Sequence, residues 1–543
     1  MRYWTGTLLP ALTCLAALLV LAPAVAADAD PVALHIATAP TGPLINRNLF
    51  GQFAEHLGTG IYGGVWVGPQ SPIPNVRGIR SDVVAALRAL KVPNVRWPGG
   101  CFADEYHWRD GIGPAALRKS TVNTNWGGSI ESNAFGTDEF MDFVSQIGSE
   151  AFISVNVGSG TPREAAEWLE YMTAAPGTSA GQARAANGHP APYTVRFLGL
   201  GNESWGCGGA MSPDYYVNQM RIYSRFVHNY NPAQADPHAM QRIAVGANGA
   251  NTDYVDSVMK AWRDKDWSWD IEGVSLHSYT SAGWPPAHPS DHFGEGEYAL
   301  LLNDTLKMDT LLSNQGALMD RYDPHKQVAL AVDEWGVWLA PTPGTNPGFL
   351  VQQNSLRDAI LAALNLNLFA RHADRVRMAN IAQMVNVLQS MIMTDGPRMV
   401  LTPTYHVFRM YVPFQDATLL PVQWDAGRFE TDAATAPADG HGTSTVRVSL
   451  PRVDAIAARG QDGRLWLAVV NLDPHHSARV SASIAGLALQ AAQGEVLTAP
   501  RVDSVNTFDA PAVVAPRPLS GRARDGAVML TLPACAVAVV QLR

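Results

Sequence analysis

YTVRFLGLGNESWGCGG, residues 193–209, decides the fold. Its first half is an apolar run without polar alternation, the mark of a strand covered on both faces. The run ends in Asn202 and Glu203, and a glycine-rich loop follows. The next stretch, SPDYYVNQMRIYSRFVHNY (212–230), has helical spacing, with Ser212 or Asp214 near its start. A strand that hands polar residues to a loop and then to a helix is one step of a repeating α/β unit.

The unit recurs on both sides. Upstream, VPNVRWPGG (92–100) is a strand and exit loop, and TDEFMDFVSQIG (137–148) is a helix with Thr137 as its N-cap. SEAFISVNVGSG (149–160) is a strand and loop, and PREAAEWLEYM (162–172) is a helix opened by proline. Downstream, RIAVGANG (242–249) and IEGVSLHSY (271–279) are strands around the helix YVDSVMKAW (254–262). Residues 298–322 form a long helix, KQVALAVDEWGVW (326–338) a strand and loop, 355–373 a helix, and 375–389 hold the last strand. An open doubly wound sheet would carry a glycine-rich phosphate loop after its first strand; none is found. Polar motifs end many different strands instead, which predicts an α/β fold of the closed (β/α)8 TIM barrel type. After Tyr411 helical periodicity fades. Strand-like runs at 417–424, 444–450, 465–472, 478–486, 513–519 and 527–542 predict a β-sandwich. PVALHIATA (31–39) is an isolated early strand.

The bulk composition agrees with two domains. The chain has 543 residues, 47% hydrophobic and only 16% charged, with 15 tryptophans and a net charge of −9. No basic tract follows a nucleic-acid backbone, so nucleic acid is not an expected partner. The N-terminus has Arg2, an apolar run from Leu8 to Leu21 and then Ala24-Val25-Ala26, which predicts a signal peptide, a secreted protein (periplasmic or extracellular), and no membrane association after cleavage. Of four cysteines, cleavage removes Cys14 and leaves Cys101, Cys207 and Cys535. The odd count leaves at least one free or paired outside the chain, while Cys101 and Cys207, both in glycine-rich loops, are a candidate local bridge. No Cys/His spacing predicts a metal site.

The chemistry is carried by two strand ends. One delivers Asn202 and Glu203; the other, VALAVDEWGVW (328–338), delivers Asp333 and Glu334 with Trp335 and Trp338 beside them. By strand count these are barrel strands 4 and 7, which face one another across the rim. Paired carboxylates so placed suit glycosidic hydrolysis, where one attacks the anomeric carbon and the other protonates the leaving oxygen. A proton donor needs a raised pKa, which burial near Trp205 and a negative neighbour would give Glu203. A nucleophile needs donors, for which Arg96, His277 and Tyr279 are candidates. Other readings stay open: His277 as a core histidine, Arg96 as a tie between strand ends, Asp333 as a loop-orienting group, Glu55 as an ion-pair partner, and Asp104, Glu105 and Asp110 as a solvated cluster.

A set of motifs in order, FGQFAEHLG (50–58), YGGVWVG (62–68), NVRWPGGCFADEYHWRDGIGP (94–114), GLGNESWGCGG (199–209), SLHSY (275–279), VDEWGVW (332–338), NIAQMVNVLQS (380–390) and TPTYHVFRMY (402–411), resembles the α-L-arabinofuranosidases of glycoside hydrolase family 51. The resemblance runs over roughly residues 32–543. It implies a retaining barrel enzyme whose sandwich also takes an N-terminal strand. The expected division is a signal peptide at 1–27, that strand within 28–45, the catalytic barrel at 46–405 and the sandwich at 406–543. It implies Glu203 as acid/base and Glu334 as nucleophile. Glu55 would bind the arabinose hydroxyls, Asn202 would contact the 2-hydroxyl, Tyr279 the nucleophile or the sugar ring, Gln383 would close the pocket, Cys101 would touch the sugar, and Trp126 and Trp205 would line the pocket or the aglycone side. The implied reaction is exo-hydrolysis of terminal arabinofuranosyl units on plant polysaccharides and oligosaccharides, without cofactor or metal, by a chain for which a homo-oligomer is plausible. A xylosidase or endoglucanase on the same fold is the alternative. The loop SWGCGG and Gly336 depart from the family pattern and bear on the aglycone wall.

Overall fold

The computed structural model describes residue 1 and residues 31–236, 238–435 and 444–543. The expected signal peptide therefore lies outside the described residues. Val32–Ile36 (β1) belongs to the C-terminal sheet. Eight parallel strands then close a barrel: Gly51–Phe53 (β2), Asn94–Trp97 (β3), Glu150–Val155 (β4), Val195–Leu200 (β5), Gln241–Asn248 (β6), Gly273–Thr280 (β7), Ala329–Val337 (β8) and Val376–Ala382 (β9). The strands bearing Glu203 and Glu334 are the fourth and seventh of the ring, so the count from sequence holds.

Helices alternate with these strands: Ser81–Leu90 (α1), Thr137–Ile147 (α2), Pro162–Thr173 (α3), Pro213–Phe226 (α4), Asp253–Arg263 (α5), Glu295–Asp320 (α6), Leu356–Arg371 (α7) and Pro403–Tyr411 (α8). Their starts follow capping chemistry. Thr161 and Ser212 accept from backbone N–H groups one turn in, each followed by proline at the first helical position. Thr137, expected as a cap, is instead the first residue of α2, and Gly136 is the cap. The reason is space: a Cβ at Gly136 would lie 1.8 Å from the carbonyl oxygen of Gly111. Glu139 completes the turn by accepting from Gly136 N–H at 2.9 Å.

Inside the barrel, Phe152, Phe197, Ile243, Ala331 and Met378 fill the lower layer. This apolar plug leaves the polar side chains at the opposite, C-terminal rim, where barrel sites form. The C-terminal sheet has ten strands, with β1 pairing in parallel with Ala478–Ile484. Its two edges, Thr418–Leu420 and Val422–Gln423, flank Pro421, so the sheet folds over on itself into a sandwich. Leu34, Ile36, Leu467, Val480, Leu530 and Val540 lie in its core. The run 444–450 is not in this sheet: it forms a separate hairpin with Arg428–Thr435. The apolar tail 527–542 is two strands, broken at Pro533–Cys535.

The domains meet on α7, which is buried along almost its whole length. Asn367 on α7 donates to Asp454 at 2.7 Å and accepts from the Tyr411 hydroxyl at 2.9 Å. Paired polar groups at such a dry junction fix its register without leaving an unsatisfied atom. Among the described residues, no helix is long and apolar enough to cross a membrane.

Candidate active site

The barrel rim gathers the residues that the motifs scatter along the chain. Glu334, near the end of β8, accepts from Arg96 Nη1 at 2.7 Å and from the Tyr279 hydroxyl at 2.8 Å. Glu203, just after β5, meets His277 Nδ1 through Oε1 at 2.8 Å. The same ring nitrogen lies 3.5 Å from Glu334 Oε2, and Nε2 lies 3.3 Å from Asp333. One histidine thus stands between three carboxylates, and an oxygen of Glu203 and one of Glu334 come within 4.8 Å of each other. Burial alone would lower the His277 pKa, but Glu334, Asp333 and Glu203 outweigh it and hold it up at about 10. His277 is therefore an imidazolium in the site, not an isolated core histidine.

Arg96 does both things left open for it. It pairs with Glu334, donates to Asn202 Oδ1 at 2.6 Å, and sits 3.4 Å from Asp333, its guanidinium 4.6 Å above the Phe53 ring. It braces the carboxylates of one strand and ties them to the next. Asp333 is a buried carboxylate 3.4 Å from Arg96 and 3.3 Å from His277, so it sits beside both cations. The Glu203 pKa is raised, chiefly by burial and further by Glu334, against the lowering pull of His277.

Backbone geometry explains the glycines. Glu203 has φ of 39°, a left-handed conformation rare for a side chain of this size and a local strain of the kind concentrated at functional sites. Its carbonyl accepts from Gly206 N–H at 2.7 Å and Gly208 N–H at 3.1 Å, so the loop folds back over it. A Cβ at Gly208 would lie 1.8 Å from Asn202 O. In the Pro98-Gly99-Gly100 turn, a Cβ at Gly100 would meet Glu334 Oε1 at 2.8 Å, and one at Gly99 would meet Glu55 Cγ at 2.7 Å. Both glycines let the backbone approach a carboxylate.

Glu55 follows β2 and is buried. Its oxygens accept from Gly100 N–H at 2.9 Å, Phe102 N–H at 3.1 Å and Gln383 Nε2 at 3.0 Å. Burial, and then the charge of Glu334, push its pKa up to about 7. Trp126 is half-buried in a cluster with Phe53, Leu57, Tyr279 and Trp338. The Tyr279 and Trp338 rings meet edge-on at 5.0 Å, and the exposed Trp284 extends this aromatic wall at 5.3 Å from Trp338. Trp335 is buried against Phe369 and Phe408, away from the mouth. Trp205 lines a cavity of about 360 Å³ together with Met211, Asn248, Asn251 and Tyr254. Cys101 and Cys207 form a disulfide between the β3 and β5 exit loops, and Cys535 is free and buried.

Asp104 is the residue whose part the local pattern hides. It is buried rather than solvated, and it accepts from the backbone N–H groups of Val157, Gly158 and Asn202 at 2.7, 2.8 and 2.9 Å. It joins the exits of β4 and β5 and so sets Asn202 and Glu203. Nothing in FADEYHW separates it from half-exposed Glu105. Among the described residues, two triads bring three metal-ligating atom types together: Cys101, Glu203 and Cys207, the two sulfurs joined in the disulfide, and Glu203, His277 and Glu334.

Comparisons with known proteins place the chain among arabinofuranosidases. Residues 86–287 match the family model described as α-L-arabinofuranosidase 1 domain, and residues 333–536 match the α-L-arabinofuranosidase C-terminal domain. An intracellular exo-α-L-arabinofuranosidase of Bacteroides ovatus is 42% identical over 503 residues, 92% of this chain and 93% of that protein. The crystal structure of the family 51 arabinofuranosidase from Xanthomonas axonopodis pv. citri superposes with a TM-score of 0.88 at 49% identity, covering 94% of this chain and 100% of that one. The arabinose complex of the Thermotoga maritima α-L-arabinofuranosidase has a TM-score of 0.80 at 30% identity, over 94% and 99%. One expectation is corrected. The expectation of a secreted protein is overturned by the Bacteroides ovatus relative, which is named an intracellular enzyme. An apolar N-terminal run with small residues after it describes hydropathy, and hydropathy alone does not establish the route the chain takes.

Proposed function

The chain belongs to the α-L-arabinofuranosidases of glycoside hydrolase family 51, and from that premise we propose that it removes terminal non-reducing α-L-arabinofuranosyl residues from arabinoxylan, arabinan or their oligosaccharides by double displacement. The observation that carries the mechanism is the carboxylate separation. One oxygen of Glu203 and one of Glu334 lie within 4.8 Å of each other, which favours the close pair of a retaining enzyme, at about 5–5.5 Å, over the about 6.5–9.5 Å of an inverting one.

In this reading Glu334 is the nucleophile. Arg96 and Tyr279 donate to it and aim it, and its attack on the anomeric carbon forms an arabinosyl-enzyme. Glu203, whose pKa burial raises, gives its proton to the leaving oxygen. Once deprotonated, it takes a proton from the water that attacks the intermediate and releases arabinose. Glu55 and Gln383 grip sugar hydroxyls, and Asn202, held by Arg96, faces the 2-hydroxyl. Trp126 closes the sugar pocket, and Trp205 lies on the aglycone side. The scheme calls for no metal or organic cofactor. Exo action is favoured because the Bacteroides ovatus relative is an exo enzyme.

The test is Glu334→Ala. It should fold with an unchanged near-UV spectrum and release no arabinose from aryl arabinofuranoside or arabinoxylan, while the wild-type product forms first as the anomer of the substrate's configuration. Clear turnover by the variant, or inverted product, would sink the assignment.

A further inference from the structure

We propose that, once the Cys101–Cys207 disulfide is reduced, the two thiolates and Glu203 form a binding site for a thiophilic divalent cation such as Zn²⁺. That this site should also inhibit the enzyme rests on the reading of Glu203 as acid/base. The three ligand atoms lie within 4.8 Å of one another. Glu203 uses Oε1 toward His277 and turns Oε2 toward Cys207 Sγ at 3.5 Å. Zinc binds thiolate sulfur at about 2.3 Å and carboxylate oxygen at about 2.0 Å; at a tetrahedral angle these place sulfur and oxygen about 3.5 Å apart. Glu203 is therefore already at coordination distance from one sulfur. The two Cα atoms are 5.5 Å apart, so both sulfurs can face one ion. Three protein ligands leave the fourth position to water, the pattern of an open zinc site.

The alternative triad, Glu203, His277 and Glu334, does not compete. Both nitrogens of His277 already face carboxylates, Nδ1 toward Glu203 and Nε2 toward Asp333, so neither turns a free lone pair to an ion. The disulfide is also reachable: Cys207 is exposed and Cys101 half-buried. Reduction breaks the S–S bond and leaves two thiols: two reductant thiols supply the two electrons and two protons and become a disulfide, whereas a phosphine supplies the two electrons and water the two protons and the oxygen of the phosphine oxide. Zinc then displaces the two thiol protons and the proton of the Glu203 carboxyl to the buffer, and Glu203, as a ligand, can neither give nor take a proton.

The full-length protein is reduced with a phosphine, freed of reductant under nitrogen, and titrated with Zn²⁺ alone by equilibrium dialysis, with arabinosidase activity followed in parallel. The reduced protein should bind one equivalent more zinc than the oxidised protein, and lose activity that a chelator restores. The extra equivalent should vanish in Cys101→Ser/Cys207→Ser. In reduced Glu203→Gln, affinity should fall by more than roughly tenfold, an arm that needs no cysteine substitution. Equal binding by oxidised and reduced protein, or an extra equivalent that survives in the double serine variant, would overturn the site. Reduction-dependent binding that leaves turnover intact would uphold the site and instead refute the role of Glu203.

Discussion

Replacing Glu203 with alanine separates the two steps of the proposed mechanism, because only the first depends on the leaving group. Glu203 is the group placed to protonate that group: His277 beside it has both nitrogens committed to carboxylates. General acid–base assistance contributes about 10²–10⁴-fold, or roughly 3–5 kcal/mol of barrier. The loss should fall toward the upper end. With Glu203 gone, the His277 imidazolium keeps only Glu334, 3.5 Å away, as the carboxylate facing Nδ1, and a closer contact there would quiet the nucleophile. Arabinoxylan oligosaccharides, whose alkoxide leaving group needs a proton, should suffer the whole loss. A dinitrophenyl arabinofuranoside needs none, so its first step should stay fast. Deglycosylation, now without a base, becomes rate-limiting. Stopped-flow absorbance should show a burst of dinitrophenolate, and intact-protein mass spectrometry should find the enzyme one pentosyl residue heavier. Azide, which attacks without a base, should restore turnover. The pH profile should change too. Because the Glu203 pKa is raised, wild-type activity falls as pH rises through that value, and this alkaline limb should disappear in the variant. A uniform loss on both substrates with no burst would refute the reasoning, since Glu203 would then be supporting the site and not moving a proton.

Two further outcomes follow from groups around that pair. Glu55 has a folded-state pKa near 7, well above its unfolded value of about 4.3; its contribution is full below about pH 4 and is lost as pH rises through 7, with an upper bound of about 4 kcal/mol. Glu55→Gln should flatten that part of the stability curve, as denaturant melts at pH 5 and pH 7 would measure; an unchanged slope would show that Glu55 is ionised in the fold throughout. Gly100→Ala would put a methyl 2.8 Å from Glu334 Oε1; displacing the nucleophile by a fraction of an ångström toward 1 Å should cost up to about 10²-fold in kcat, with the thermal midpoint little changed, and wild-type kcat would contradict the close approach seen at this turn.

How much of this was legible in the chain follows from how burial is written into sequence. The central barrel strands are apolar runs of six to nine residues, such as VRFLGL and ALAVDEWGV, and their order placed the two glutamates on strands 4 and 7. The first barrel strand, Gly51–Phe53, is three residues long and leaves no periodic trace. Val453–Arg459 and Ala491–Leu497 escaped for another reason: they fill their places with alanine and glycine, and Gly494 lies where a Cβ would be 2.0 Å from Val539 O. Strands that are buried by being small carry little hydropathy. The tail 527–542 made the opposite error: two apolar strands joined by a tight turn look like one.

The site shows the same division. A carboxylate beside a glycine-rich strand end announces itself, because close backbone approach demands glycine and chemistry demands the acid. A residue that acts by accepting backbone N–H groups does not, since the partners of Asp104 are amides that every sequence contains. His277 and Arg96 lie between these cases. Their types were right for holding carboxylates, but whether they did so depended on which strands became neighbours. Barrel closure settles that, bringing β8 beside β7 and β2 beside β3, so that two cations serve four acids, Glu55, Glu203, Asp333 and Glu334. Burial raises the pKa values of Glu203 and Glu55, and the charge of Glu334, shared among too few cations, adds to it; in the proposed mechanism the first of these acids stands where a leaving oxygen needs the proton.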